Sequence, residues 1–167
     1  MSHAHGVPEG ADGRAMLDGF VDEHREGLRL SLEGLTEEQA RRRLVPSATT
    51  LLGLVKHATF VERVWSEEAV LCRPRTELGL PAAAEDSFLL TDDDTVASVL
   101  AEHESACAAA RSIASSVGLD DLVHGNRRGP LPFRWVQLHL LRELAQHCGH
   151  ADILREQVLA ADAAPRA

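Results

Sequence analysis

Apolar residues recur three, four or seven positions apart along much of the chain, which is the spacing that places them on one face of an α-helix. This pattern predicts four long helices, near residues 13–34, 49–71, 91–117 and 131–159. A short helix with a capping-box sequence, beginning at Thr36, is expected between the first two. No segment shows the alternation that is typical of a β-strand. The expected fold is therefore all-α, a four-helix bundle.

The connection between the second and third predicted helices is long. Residues 73–90 contain two prolines and a glycine, and long connections in compact domains often serve as lids or crossovers. We expect a flexible tail over residues 1–12, one bundle domain over residues 13–161 and a second tail over residues 162–167.

The charge of the chain excludes several kinds of partner. Its 167 residues carry 17 Lys and Arg against 26 Asp and Glu, a formal net charge of −9, which gives duplex DNA no basic surface to bind. Because no apolar run approaches the roughly 20 residues of a membrane span and no export signal opens the chain, we expect no membrane partner and a cytoplasmic location. Cys72, Cys107 and Cys148 lack C-x-x-C spacing and are predicted to be free thiols. Most charged side chains, Arg25 and His103 among them, are expected in solvent.

Four polar residues form a stripe on the fourth predicted helix. His139, Glu143, His147 and His150 fall within an arc of about 80° when successive residues are placed 100° apart. The apolar residues of the same helix lie on both sides of this arc. The stripe is therefore predicted to face the core.

An ionised glutamate in such a place needs a cation, because an unpartnered buried carboxylate would cost several kcal/mol or lose its charge. Arg134 and Arg142 fall on the other side of the helical wheel, and Lys56 is the single lysine. A bound metal ion is therefore the best candidate partner of Glu143.

The spacing of the residues suggests a ligand set. Glu143 and His147 are one helical turn apart, and both can reach one ion. His57 lies on the apolar face of the second predicted helix and can supply a third ligand. Two histidines and a glutamate with an open fourth position are the pattern of catalytic zinc, and the same set suits ferrous iron or nickel. An inward histidine is also commonly a hydrogen-bonded core residue, so both readings stay open.

Other residues near this stripe have alternative roles. His150 could replace Glu143 as a ligand, orient a ligand or contact a substrate thiol, and His139 is a similar case. Trp65 and Trp135 at helical spacing are either core residues or the wall of a pocket above the metal. The exposed turn at residues 127–128 contains two arginines, which are either solvated or hold an anionic substrate.

Five segments of the chain resemble the DinB-like superfamily, namely residues 34–47, 51–57, 61–65, 134–135 and 143–156. Within that superfamily the sequence is most similar to the actinobacterial branch of mycothiol-dependent S-transferases and to the N-terminal domain of maleylpyruvate isomerases. The similarity extends over nearly the whole chain.

The resemblance implies a four-helix bundle that holds a divalent metal, zinc first and nickel or iron otherwise, at His57, Glu143 and His147. Many superfamily members have histidine at the position of Glu143, whereas maleylpyruvate isomerases have glutamate. Those isomerases carry a further C-terminal domain that this chain lacks, so isomerase activity is not expected. The resemblance also implies mycothiol as co-substrate, a small electrophile as the second substrate, and a homodimer.

The leading hypothesis is therefore metal-dependent transfer of a low-molecular-weight thiol to a small electrophile, with the metal activating the thiolate. Two alternatives keep the metal and differ in its use. One is a hydrolase, or an iron-dependent oxidase, in which the metal activates water or oxygen. The other is a non-catalytic metal-binding stress-response protein.

Overall fold

The computed structural model of the protein describes residues 12–163. The tails predicted at residues 1–12 and 162–167 lie almost entirely outside the described residues. The four long helices are α1 (Gly13–Leu30), α3 (Leu51–Arg63), α5 (Val96–Ser115) and α6 (Phe133–Ala163). The prediction of an all-α fold is confirmed.

Shorter elements connect the long helices. The helices α2 and α4 span Glu37–Arg41 and Arg75–Leu78, a π-helical segment Val64–Glu68 extends α3, and a 3₁₀ helix spans Ala84–Phe88. The strands β1 (Leu122–Val123) and β2 (Leu131–Pro132) form a two-stranded antiparallel sheet. The sequence pattern does not predict this sheet, since strands of two residues are too short to show an alternation.

The bundle is built from helix pairs. The first helix α1 packs along α6, α5 packs along α3, and α3 in turn packs against α6. Leucine and valine side chains from these helices fill the space between them, and Leu28, Leu54 and Leu144 are fully buried. None of the helices in the described part of the chain is both long enough and apolar enough to span a bilayer.

The start of α5 differs from its prediction. The sequence suggests Thr91 as the N-cap, but the helix begins after Thr95, whose Oγ1 accepts from the backbone N–H of Ser98 while Ser98 Oγ accepts from the backbone of Thr95. Asp94 is occupied otherwise, because its carboxylate accepts from the Thr91 backbone and from Lys56 Nζ, the latter at 2.7 Å. The acidic run therefore forms a turn that is tied to α3.

The long connection folds back onto α3 through its 3₁₀ helix. Gly53 permits this approach, since a Cβ atom at this position would lie 2.8 Å from the carbonyl oxygen of Phe88. The connection is therefore a packed crossover, and it brings Ser87 and Phe88 to the middle of α3.

A buried ion pair ties α1 to α3. The Arg25 guanidinium donates two hydrogen bonds to the Glu62 carboxylate, at 2.7 and 2.6 Å, and Glu62 is fully buried. The prediction that Arg25 is solvated is wrong. Helical periodicity describes the residues of a single helix and cannot identify a partner on another helix, such as Glu62. His103 is also buried, contrary to prediction, and Thr59 Oγ1 lies 3.3 Å from its Nδ1.

Candidate metal centre

His57 on α3 meets Glu143 and His147 on α6. Each offers one ligand atom, and these atoms all lie within 4.8 Å of one another. Both imidazoles are buried, whereas the Glu143 side chain is 25% exposed to solvent. The packing of α3 against α6 brings the histidines together, with ring centroids 4.7 Å apart and planes nearly perpendicular. The structure thus gathers the three residues that the sequence suggests as a ligand set.

The crossover orients His57. Ser87 Oγ donates its single proton to the carbonyl oxygen of Ala84, at 2.5 Å, and therefore accepts from His57 Nδ1, at 2.7 Å. Phe88 stacks on the imidazole with ring centroids 3.9 Å apart. With the proton on Nδ1, the lone pair of His57 is on Nε2. A hydrogen bond of this kind at the second ring nitrogen is the usual companion of a metal-ligating histidine.

His147 is the side chain that most clearly lacks a partner. Both of its ring nitrogens are buried, and neither has a hydrogen-bond partner among the described residues. Leaving a buried polar group unpaired costs about 1–3 kcal/mol. A metal ion at this position would satisfy one of these nitrogens, so the residues present fit a metal.

Burial also keeps the two imidazoles neutral. It lowers the pKa of His57 to about 4, helped by the nearby His147 and opposed by the charge of Glu143. Burial likewise lowers the pKa of His147. Two neutral imidazoles and a carboxylate form a donor set that suits Zn²⁺ and other divalent first-row metals.

The position of Arg142 differs from the prediction. The helical wheel places it away from Glu143, yet its Nη2 lies 3.1 Å from Glu143 Oε1. The wheel describes the direction of the Cβ atom, and the long arginine side chain bends back along the helix surface. Glu143 Oε2 lies 3.9 Å from His147 Nε2. Since Arg142 already supplies a cation, the case for a metal rests on the gathered ligand atoms and on the unpartnered His147.

The remaining two histidines of the stripe stand beside the cluster. His139 Nδ1 accepts from Arg142 Nη2, at 2.8 Å, and its ring stacks on Trp135 with centroids 5.0 Å apart. His150 is exposed, and its ring centroid lies 5.9 Å from that of His147. The structure gathers Glu143, and not His150, with the two buried histidines.

The two tryptophans form an aromatic cluster with His139. Trp65, on the π-helical segment, lies 5.4 Å from Trp135 between ring centroids and meets the edge of His139 at 4.5 Å. Both are half-buried and pack against the core. Because His139 Nδ1 lies 3.8 Å from Glu143 Oε1, this cluster adjoins the candidate metal centre.

The protein places no thiol among the three gathered side chains. All three cysteines are free. Burial raises the pKa of Cys107 to about 12 and that of Cys148 to about 11, and Cys148 Sγ donates to the carbonyl oxygen of His24. Cys72 is exposed. The thiols of Cys107 and Cys148 therefore stay protonated near neutral pH.

Two cavities, of about 230 and 410 Å³, are lined by residues of α1 and α5, and the smaller one is also lined by residues of α6 and by Trp65. They share Asp22, Arg25 and Arg111, and neither includes a residue of the candidate centre. The smaller cavity therefore reaches the aromatic cluster through Trp65, whereas the three gathered side chains line neither cavity.

The fold and the site together define an all-α bundle protein with two histidines and a glutamate gathered on facing helices. The family profile of the mycothiol-S-transferases matches residues 16–160. The chain belongs to the mycothiol-S-transferase family.

A solved structure supports the fold independently. The crystal structure of a conserved protein from Enterococcus faecalis superposes with a TM-score of 0.69 at 14% sequence identity, covering 90% of this chain and 99% of that one. At this identity the likeness concerns the fold alone. A comparison with proteins of curated function gave no significant match.

Proposed function

We propose that the protein is a metal-dependent S-transferase that joins a low-molecular-weight thiol, mycothiol, to a small electrophile. The observation that carries the proposal is the buried, unpartnered His147 beside His57 and Glu143, in a chain that belongs to the mycothiol-S-transferase family. Zinc is the first choice of metal, because two imidazoles and one carboxylate match its catalytic sites.

A divalent ion held by these residues supplies positive charge that lowers the pKa of a thiol, which otherwise is only a few per cent thiolate near neutral pH. The chain's own residues contribute the arrangement. Ser87 and Phe88 fix the ring of His57, and Arg142 holds one oxygen of Glu143. The bundle core keeps His147 out of water.

The nucleophile comes from outside the protein. Cys107 is buried and Cys148 is half-buried, both have raised pKa values, and no cysteine belongs to the gathered cluster. In the transfer, the sulfur of the external thiol forms a bond to the electrophilic carbon, and its proton is released to solvent. The electrophilic carbon either expels a leaving group with its electron pair or, in an activated alkene, passes the electrons of its double bond to the neighbouring carbon, which takes up a proton.

The test is a thiol-consumption assay with mycothiol and a chlorodinitrobenzene-type electrophile. Zinc-loaded protein should form the thioether at a rate well above that of the same protein after chelation, and zinc should restore the rate. His147→Ala should behave like the chelated protein. His124 is exposed and is not one of the three gathered residues, so His124→Ala should retain the rate.

The alternatives predict different outcomes of this assay. A hydrolase would release product from ester or amide substrates without consuming thiol. A non-catalytic metal-binding protein would hold zinc and show no rate above the chelated control with any thiol tried. Either result would overturn the transferase proposal while leaving the metal centre in place.

A further inference from the structure

Arg128 is an exposed side chain that lies over the face of the Trp135 ring. Its guanidinium carbon is 5.4 Å from the centroid of the Trp135 ring, and no carboxylate or carbonyl in the described part of the chain pairs with it. Within residues 12–163, the other arginines except Arg127 each donate to such a partner. In an acidic chain, an arginine seated on an aromatic ring without a counter-ion is available to an anion.

The loop that carries Arg128 is held in place. Asn126 Oδ1 accepts from the backbone N–H of Arg128, at 2.9 Å, and the backbone N–H of Gly125 donates to the carbonyl oxygen of Ala69, at 3.0 Å. A Cβ atom at Gly125 would lie 1.9 Å from the carbonyl oxygen of Glu68. Only glycine at this position therefore lets the loop pack this closely on the end of the π-helical segment. This packing fixes the position of the Arg128 backbone.

The surface below Arg128 leads to the candidate metal centre. Trp135 stacks on His139 with planes 13° apart, and His139 Nδ1 lies 3.8 Å from Glu143 Oε1. Trp65 closes the other side of the cluster, 4.5 Å from His139. The His139 side chain is largely covered by the two tryptophans, which are themselves half-exposed, so a flat molecule beside Arg128 would pack against the exposed parts of Trp65 and Trp135.

We propose that Arg128, with Trp65 and Trp135, binds the electrophile, that His139 supports the two tryptophans, and that the electrophile is a flat aromatic anion such as a carboxylate. A guanidinium recognises a carboxylate through two parallel hydrogen bonds, and aromatic side chains bind a conjugated ring by stacking. A neutral electrophile bound at this place would cover the Arg128 guanidinium without supplying a counter-ion. This assignment of substrate class rests on the proposed transferase function.

Tryptophan fluorescence gives a direct test, because the chain has two tryptophans, Trp65 and Trp135, and both belong to the proposed site. Metal-free protein is titrated without thiol, using 4-nitrobenzoate and its neutral counterpart 4-nitrobenzamide, with quenching of the tryptophan emission as the signal. The acid should bind at least about tenfold more tightly than the amide, which is the effect of one charge-assisted contact.

Arg128→Gln should abolish the preference for the acid, and Arg127→Gln, the matched variant on the same loop, should retain it. Equal binding of acid and amide to the wild-type protein would overturn the proposal, as would an unchanged preference in Arg128→Gln or a loss of preference in both variants. Because neither metal nor thiol is present, this result is independent of the transferase assay.

Discussion

At the scale of single residues, the hydroxyl of Ser87 has more influence on the candidate centre than its position in the sequence suggests. It lies 30 residues after His57, yet its hydrogen bond leaves Nε2 of that histidine as the nitrogen with the lone pair. Apolar periodicity and the family resemblance suggest His57, Glu143 and His147. They give no sign of Ser87, because its contact depends on how the crossover folds.

Replacing Ser87 by alanine should weaken zinc binding by about 10-fold or more, the usual effect of removing the group that orients a ligating histidine. The measurement is a competition titration against a zinc chelator. Ser115→Ala, which removes a hydroxyl bonded within the surface of α5, should leave the affinity unchanged. Equal zinc affinity of the Ser87→Ala and wild-type proteins would show that the crossover does not set the ligand.

Arg142 shows the limit of a helical wheel at the same scale. The wheel predicts the direction of a side chain's first bond, but the guanidinium of an arginine is several bonds further on. It reaches Glu143 Oε1 and His139 Nδ1 from the solvent side of α6. The sequence therefore predicts the polar stripe on α6 but not the position of the Arg142 guanidinium beside it.

At the scale of the elements, the Arg25–Glu62 pair ties two helices through the core. Burial alone would lower the pKa of Arg25, but the hydrogen bonds and charge of Glu62 raise it above its usual value. Removing one partner of a buried pair leaves the other charge uncompensated. The contact between α1 and α3 therefore depends on both residues.

Glu62→Ala should lower the free energy of unfolding by about 3–5 kcal/mol, measured by urea denaturation. Glu77→Ala, which removes an exposed ion pair with Arg73, should cost no more than about 1 kcal/mol. Similar losses in the two variants would mean that the buried pair contributes no more to the free energy of unfolding than an exposed pair. The double change Arg25→Met and Glu62→Leu should recover much of the stability, because it leaves no unpaired charge.

The long helices could be predicted from the sequence because each carries an apolar face of several turns. Their ends could not, since they depend on which of several polar residues acts as the cap. Thr91 and Thr95 are both plausible caps in sequence, and Lys56 decides between them by holding Asp94. The short sheet and the π-helical segment could not be predicted, because neither changes the pattern of apolar residues along the chain.

At the scale of the whole molecule, burying neutral histidines makes stability depend on pH. Burial lowers the pKa values of His57, His103 and His147 below the ordinary value of about 6.5. The unfolded chain therefore binds more protons than the folded one as the pH falls below that value. The contribution of these histidines to stability decreases on acidification from about pH 6.5 and, for His57, continues to about pH 4.

The melting temperature of the metal-free protein should accordingly fall between pH 7 and pH 5. His57→Gln should show a smaller fall over the same range, because it removes the group with the largest change. Scanning calorimetry of both proteins checks this. Parallel curves for the two proteins would contradict the assignment of a buried neutral His57.

We propose that His57, Glu143 and His147 hold one divalent metal ion, and metal analysis of the purified, untagged protein can show whether they do. After removal of metal and reloading with zinc, the wild-type protein should hold about one ion per chain, and so should the His139→Ala and His150→Ala variants. Alanine at any of the three ligand positions should lose the ion. Full retention of metal in all three ligand variants would rule out this ligand set, and loss in His150→Ala with retention in Glu143→Ala would replace Glu143 by His150 as a ligand.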